Sequence, residues 1–150
     1  MKVRLAVSPE RYEPLRAQLG AHGIEVDDSA ELVLSETGRF AETLAVRERA
    51  GGVRALLPVE EIVSIETLGR EVVVYARGRC WQTGERLYRL AARLDPDRFL
   101  RVSQSTVVNR AAVREITPTL FMRFILTLSD GRRVDVTRTY YYLFKESFGI

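Results

Sequence analysis

The first 41 residues carry an alternation of apolar and polar positions that predicts three short strands and one helix. Apolar and charged side chains alternate from Lys2 to Ser8, which indicates a half-buried strand. Ser8 is expected to cap a helix that begins with a proline and stops at Gly20. Two more short strands are predicted at 24–26 and 31–35, on either side of an acidic turn. This β-α-β-β unit is small for a domain that folds alone.

Strand patterns dominate from residue 42 to the C-terminus. A hairpin is predicted from strands at 43–48 and 53–57, because the Gly51-Gly52 pair between them suits a turn that needs positive φ. A second hairpin joins 121–128 to 132–136 through an Asp-Gly turn. The remaining predicted elements are strands at 62–66, 72–75, 81–82 and 100–103, a turn or strand region at 107–113, a helical turn at 58–61, and helices at 85–94 and 139–147.

The pattern predicts a mainly β fold, α+β overall, with a small α/β unit at 1–41 and a second module at 42–150. The length of 150 residues and the hydrophobic content of 46% allow one sizeable core but not two full domains. The longest apolar runs are far shorter than the roughly 20 residues of a bilayer-spanning helix. The N-terminus also lacks the apolar stretch of a secretory signal. We therefore expect a globular, cytoplasmic protein.

Cysteine and histidine are too scarce for the common metal and catalytic sites. Cys80 is the only cysteine and His22 the only histidine, so neither an internal disulfide nor a zinc cluster is expected. His22 has no Ser or Cys nucleophile in a recognisable setting. Gly51-Gly52 lacks the spacing of a nucleotide-binding loop. We expect no enzyme activity, no metal and no cofactor.

Basic side chains are concentrated towards the C-terminus. The net charge is only +3, but residues 1–41 hold five basic and seven acidic side chains, whereas residues 101–150 hold eight and four. All basic residues except Lys2 and Lys145 are arginine, whose planar guanidinium suits bidentate contacts with guanine and phosphate. A genomic preference for arginine codons explains this composition more simply, so composition alone does not indicate a nucleic-acid ligand.

One segment, Asp97 to Arg110, combines apolar anchors with a dense run of hydrogen-bonding side chains. Such a loop offers several hydrogen bonds to a ligand while its ends are held in a core. The alternative is a polar turn whose side chains satisfy local backbone groups. The chemistry of the segment leaves both interpretations open. The side chains concerned are Arg101, Ser103, Gln104, Ser105, Thr106, Asn109 and Arg110.

Several separated segments, taken in order, resemble the LytTR family of bacterial DNA-binding domains. FLRVSQSTVVNR is followed by VREI and then by FILTLSDGRRVDVTRTYYYLFK. This order is similar to the family's Arg-x-x-x-Ser-x-x-x-Asn stretch, hairpin with a glycine turn, and Ser/Thr-Arg pair opening the final helix. Upstream, LPVEEIVSIETLGREVVVYA resembles the family's earlier strand-loop-strand segment. The resemblance covers residues 42–150, and its ordered parts make it more specific than a single motif.

The resemblance implies an elongated stack of small antiparallel sheets with short helices, which inserts loops into successive major grooves of double-stranded DNA. It places base contacts at Gln104, whose amide can pair with adenine, and at Arg138, whose natural partner is guanine. In the first loop, Leu68 to Glu71, Arg70 is the best candidate for a base contact. The expected phosphate contacts are Arg101, Ser103, Ser105 and Tyr140.

The sequence departs from the family's pattern at one candidate contact. Ser103-Gln104 replaces the His-Asn-like pair that is common there, so the preferred base sequence does not follow from relatives. Asn109 matches the family's asparagine, and we expect it to order the turn rather than to touch DNA.

The final helix carries three aromatic residues at a helical spacing that is typical of core positions: Tyr141, Phe144 and Phe148. Either Tyr140 or Tyr142 then faces outward and is able to donate to a phosphate.

The 41 N-terminal residues are too few for the receiver domain that many LytTR proteins carry, which needs over about 100 residues. The chain therefore resembles the small stand-alone LytTR regulators, whose genes often lie beside one for a small integral membrane protein. That membrane partner is implied by the resemblance only. The N-terminal unit either pairs edge strands with a second copy, giving a homodimer on repeated DNA sites, or caps one end of the β stack.

The sequence thus predicts a sequence-specific transcriptional regulator. The alternative is a protein-interaction adaptor that recruits a membrane partner without specific DNA binding. The two hypotheses differ in what they require of the surface. DNA binding needs the candidate side chains on one face: Arg70, Arg101, Gln104 and Arg138.

Overall fold

The computed structural model describes residues 1–36 and 40–150, which form three sheets and three helices. The strands are β1 (Lys2–Ala6), β2 (Glu25–Val26), β3 (Leu32–Ser35), β4 (Thr43–Glu48), β5 (Arg54–Pro58), β6 (Ile62–Leu68), β7 (Glu71–Ala76), β8 (Arg79–Thr83), β9 (Phe99–Ser103), β10 (Thr106–Asn109), β11 (Val113–Thr119), β12 (Arg123–Leu128) and β13 (Arg133–Val136). The helices are α1 (Pro9–Ala21), α2 (Leu87–Arg93) and α3 (Tyr141–Phe148), and 3-10 turns lie at Val59–Glu61, Arg110–Ala112 and Arg138–Tyr140. The predicted mainly β, α+β fold is confirmed. Within the described ranges, no helix has the length and apolar character needed to cross a lipid bilayer.

The N-terminal unit is a three-stranded parallel sheet in the order β2-β1-β3, packed against α1. β1 is central because its alternating pattern buries Val3 and Leu5 in a small core with the apolar side of α1. Ser8 occupies the predicted N-cap position, but its side chain does not cap the helix. Its hydroxyl instead donates to Glu36 Oε1 at 3.2 Å. The predicted cap is therefore wrong, because a distant carboxylate takes up the hydroxyl.

Strands β4 to β10 form one antiparallel sheet of seven strands in the order β5-β4-β8-β7-β6-β10-β9. The local patterns predicted separate hairpins, and long-range pairing joins them into this larger sheet. One face of the sheet packs against α2. The helical spacing of Leu87, Leu90 and Leu94 places all three in a core that also contains Trp81.

β11, β12 and β13 form a second antiparallel sheet. Its apolar side chains pack with those of β9, β10 and α3 around Leu126, Val136 and Phe144. The core positions predicted for the final helix are confirmed. Phe144 is buried, and Tyr141 and Phe148 pack at the edge of the same cluster.

β11 is the main element that the sequence pattern did not predict. Most of its side chains are exposed and it contains Pro118, so it lacks the alternation that marks a strand. Within residues 1–36 and 40–150 it is an edge strand, and β12 is its pairing partner. The predicted start of the following strand at residue 121 is also wrong. Phe121 and Met122 have φ of +66° and +59° in the β11–β12 turn, so the strand begins at Arg123.

Candidate nucleic-acid interface

Two backbone hydrogen bonds join the three turns that carry the candidate base contacts. The amide of Thr67 donates to the carbonyl of Ser105 at 2.8 Å, which ties the end of β6 to the β9–β10 turn. The amide of Thr137 donates to the carbonyl of Val102 at 2.9 Å, which ties the segment before α3 to the end of β9. The three turns therefore lie in a row at one end of the seven-stranded sheet.

Gln104 lies in the β9–β10 turn with its side chain exposed. The turn is held from within by Arg101, which donates from Nε to the carbonyl of Ser103 at 3.2 Å and from Nη2 to that of Gln104 at 2.8 Å. The hydroxyl of Ser103, which is 9% exposed, accepts from the amide of Ser105 at 3.2 Å. Arg101 and Ser103 are thus engaged by the turn itself. They present the Gln104 amide and the exposed Ser105 to solvent.

Arg70 is exposed in the tight turn between β6 and β7. The strand register pairs Leu68 with Glu71, which leaves Gly69 and Arg70 as the two turn residues. Gly69 has φ of +62°, a conformation that side chains rarely adopt, and this explains the glycine. Arg70 is consequently the one charged side chain at the tip of this turn.

Arg138 begins the 3-10 turn that leads into α3, and its side chain is exposed. Tyr140 ends the same turn but is only 4% exposed and packs in the core around Phe144. Tyr142 is 67% exposed. Of the two tyrosines, Tyr142 is therefore the one that faces outward, and the burial of Tyr140 argues against the phosphate contact expected for it.

Asn109 orders the end of β10, as predicted. Its side chain is 6% exposed. Nδ2 donates to the carbonyl of Ile62 at 2.8 Å, and Oδ1 accepts from the amide of Ala111 at 3.0 Å. The side chain satisfies two backbone groups that local structure leaves unpaired, and it fixes β10 against β6.

Arg132 is a structural residue that the sequence analysis did not select. It lies in the β12–β13 turn, where Nη2 donates to Ser64 Oγ at 2.5 Å and Nη1 donates to Glu66 Oε1 at 3.2 Å. β6 leads to the turn with Arg70, and β13 leads to Arg138. Arg132 thereby helps to fix the spacing between two candidate contacts. Its partners lie 68 and 66 residues away along the chain, and no local pattern reveals them.

Comparison with known proteins identifies the family. Residues 53–149 match the LytTr DNA-binding domain family. The chain belongs to this family. A solved LytTr DNA-binding domain of a Bacillus cereus methyl-accepting/DNA response regulator has the same fold, with a TM-score of 0.68 over 73% of this chain and 99% of that domain, at 22% identity.

This LytTR chain is also similar to parts of longer proteins that are named as regulatory or sensory proteins. The transcriptional regulatory protein LytR of Staphylococcus aureus strain RF122 is 24% identical over 142 residues, which are 94% of this chain and 57% of LytR. The sensory transduction protein LytT of Enterococcus faecalis is 24% identical over 95 residues, which are 63% of this chain and 39% of LytT. The chain thus matches about half of the length of these curated relatives, or less.

Proposed function

We propose that this LytTR protein is a cytoplasmic transcriptional regulator that binds specific sites on double-stranded DNA and reads bases in the major groove through its turns. The observation that supports this proposal is the row of three turns, each of which exposes a side chain suited to base contacts: Arg70, Gln104 and Arg138. Neighbouring groups in these turns are held by internal hydrogen bonds. Each presented side chain therefore starts from a defined backbone position, as base reading requires.

The three side chains have the donors and acceptors that base edges require. The guanidinium groups of Arg70 and Arg138 match O6 and N7 of guanine, and the amide of Gln104 matches N6 and N7 of adenine. The exposed hydroxyls of Ser105 and Tyr142 suit phosphate oxygens. Because Arg101 holds the Gln104 carbonyl, we assign it as a positioning residue of the Gln104 turn.

Selection of binding sites from a random duplex library, followed by titration of the selected site, tests the proposal. Arg138→Ala is expected to lose about 1–3 kcal/mol of binding free energy on the selected site and much less on random DNA. Arg79→Ala is the control, because Arg79 is exposed at the opposite end of β7 and β8. If Arg138→Ala loses the same binding free energy on the selected site and on random DNA, Arg138 contacts phosphate and not bases. No DNA binding even at low salt would favour the adaptor hypothesis, with an integral membrane protein as partner.

We also propose that the N-terminal unit forms a homodimer through β3. β3 is an edge strand, and its two leucines, Leu32 and Leu34, are 55% and 39% exposed. Pairing with a second copy would satisfy the edge backbone groups and bury both side chains. A two-fold dimer suits a repeated DNA site. The competing role, a cap, is supported by the packing of β1 against α2.

Light scattering at micromolar concentration separates these two roles. The wild-type protein is expected to be dimeric and Leu34→Lys monomeric, because the lysine would place a charge on the paired edge. Leu120→Lys is the control, since Leu120 is 78% exposed in the β11–β12 turn, away from the N-terminal unit. A wild-type monomer would leave capping as the role of the N-terminal unit.

A further inference from the structure

On the face opposite α2, the described residues leave part of the seven-stranded sheet open. The β11–β13 sheet packs over β9 and β10 on that face. Over β4, β5 and β8 lies a groove of about 670 Å³. In β4, Leu44 and Val46 point into the core with α2, so Arg47 points into the groove. Arg70, from the turn assigned to base reading, lines the same groove.

Two arginines lie directly opposite each other on adjacent strands that line this groove. Arg47 of β4 is the register partner of Arg54 of β5, and both side chains are exposed. Like charges opposite each other in an antiparallel pair destabilise a sheet. Arg47 donates to Gln82 Oε1 at 2.9 Å, but this neutral amide does not offset its charge. The pair is therefore an unfavourable arrangement for the protein by itself.

Carboxylates nearby do not neutralise this groove. Glu71 also lines it, but its carboxylate is ion-paired with Arg49 at 3.2 Å. Among residues 1–36 and 40–150, no carboxylate lies within ion-pair distance of Arg47, Arg54 or Arg70. Three unpaired guanidinium groups around one concave surface suit an anion, and bidentate contact with phosphate is their strongest interaction.

We propose that this groove binds the phosphate backbone of the DNA that flanks the bases read by Arg70. The inference rests on the proposed function, because it extends the same interface from the Arg70 turn over the open sheet face. The occupant is the DNA backbone because Arg70 belongs to both surfaces, so the duplex held at the turn continues past Arg47 and Arg54. An acidic protein segment is the competing occupant.

The test compares the full-length protein with the double variant Arg47→Gln/Arg54→Gln on duplexes that carry the selected site. Each phosphate contact contributes about 0.9 to the slope of log affinity against log salt, so the slope of the double variant should fall by about 2. Its affinity should fall by the same factor on selected and random DNA. Extending the duplex by one helical turn on the Arg70 side should strengthen wild-type binding but not that of the double variant.

The control variant is Arg77→Gln/Arg79→Gln, at the opposite end of the sheet. Arg77 is ion-paired with Glu61 and Arg79 with Glu48, so neither is an unpaired cation, and the salt slope should not change. The Arg47→Gln/Arg54→Gln variant should melt no lower than the wild type, since it relieves like-charge repulsion.

Two results would overturn the groove proposal, and they differ in what else they imply. A wild-type salt slope in the Arg47→Gln/Arg54→Gln variant, with specific binding intact in the wild type, refutes the groove and leaves the proposed function standing. A wild-type protein that binds no DNA refutes both. Loss of binding to an acidic protein, with the DNA slope unchanged, would assign the groove to that partner instead.

Discussion

The guanidinium of Arg132 stacks on the ring of Tyr75, 3.4 Å from its centroid. The same guanidinium bonds to Ser64 and Glu66, so one side chain in the β12–β13 turn contacts both β6 and β7 of the seven-stranded sheet. Burial and the Glu66 carboxylate raise the pKa of Tyr75, whereas Arg132 acts in the opposite direction. The two sheets are thus joined at a point from which one strand leads to Arg70 and another to Arg138.

Replacing Arg132 by alanine is expected to lower the free energy of unfolding by about 2–4 kcal/mol. The variant would leave the fully buried Ser64 hydroxyl and the largely buried Glu66 carboxylate without their partner. Urea denaturation measures the change.

Arg133→Ala is the matched control for this prediction. Arg133 is the next residue in the chain and is exposed on β13. Its replacement should change stability by less than about 0.5 kcal/mol. Equal effects of the two variants would show that the Arg132 contacts contribute no more than an ordinary surface arginine.

Asn109 and Gln104 belong to the same pair of strands but should respond oppositely to substitution. Asn109→Ala removes one buried and one partly buried hydrogen bond to backbone groups and should cost about 2 kcal/mol of unfolding free energy. Gln104→Ala should leave stability unchanged and reduce discrimination for the selected DNA site. Thermal melting and DNA titration of both variants check this. Loss of specificity without loss of stability in Asn109→Ala would contradict the ordering role.

The sequence predicts well the secondary-structure elements that are determined by neighbouring residues. It does not predict those that depend on contacts with residues distant in the chain. The β12–β13 hairpin has its Asp130-Gly131 turn and alternating strands, and α2 has its leucine spacing. β11 has neither signal, because its strand conformation depends on pairing with β12. Ser8 shows the same limit, since Glu36 competes for its hydroxyl from 28 residues away.

The sequence likewise predicts some features of the candidate interface and not others. A motif resemblance is enough to select exposed positions such as Gln104 and Arg138, because each lies in a turn with a recognisable sequence. The resemblance does not distinguish a side chain that contacts a ligand from one that stabilises the local structure. Arg101, which bonds to turn carbonyls, and Tyr140, which is buried, are two such cases. The opposed arginines of β4 and β5 depend on strand register, which no single segment reveals.

Arg101 is expected to act on DNA through Gln104. Its two hydrogen bonds to turn carbonyls need the guanidinium fork, so Arg101→Lys and Arg101→Ala should lose similar affinity for the selected site. Both variants should lose much less on random DNA. Titrations on the two duplexes measure this. If lysine restores binding, and alanine weakens binding equally on both DNAs, Arg101 is a phosphate contact instead.

The β11–β12 turn holds two bulky residues in a conformation that suits asparagine and glycine. Phe121 and Met122 both have positive φ, and Phe121 is 82% exposed, so burial does not compensate for the strain. Phe121→Asn/Met122→Gly should therefore raise the free energy of unfolding by about 1–2 kcal/mol. Leu120→Asn removes an exposed apolar side chain from the same turn at a position without positive φ. It should leave stability nearly unchanged in urea denaturation, and an equal gain there would attribute the effect to lost surface hydrophobicity.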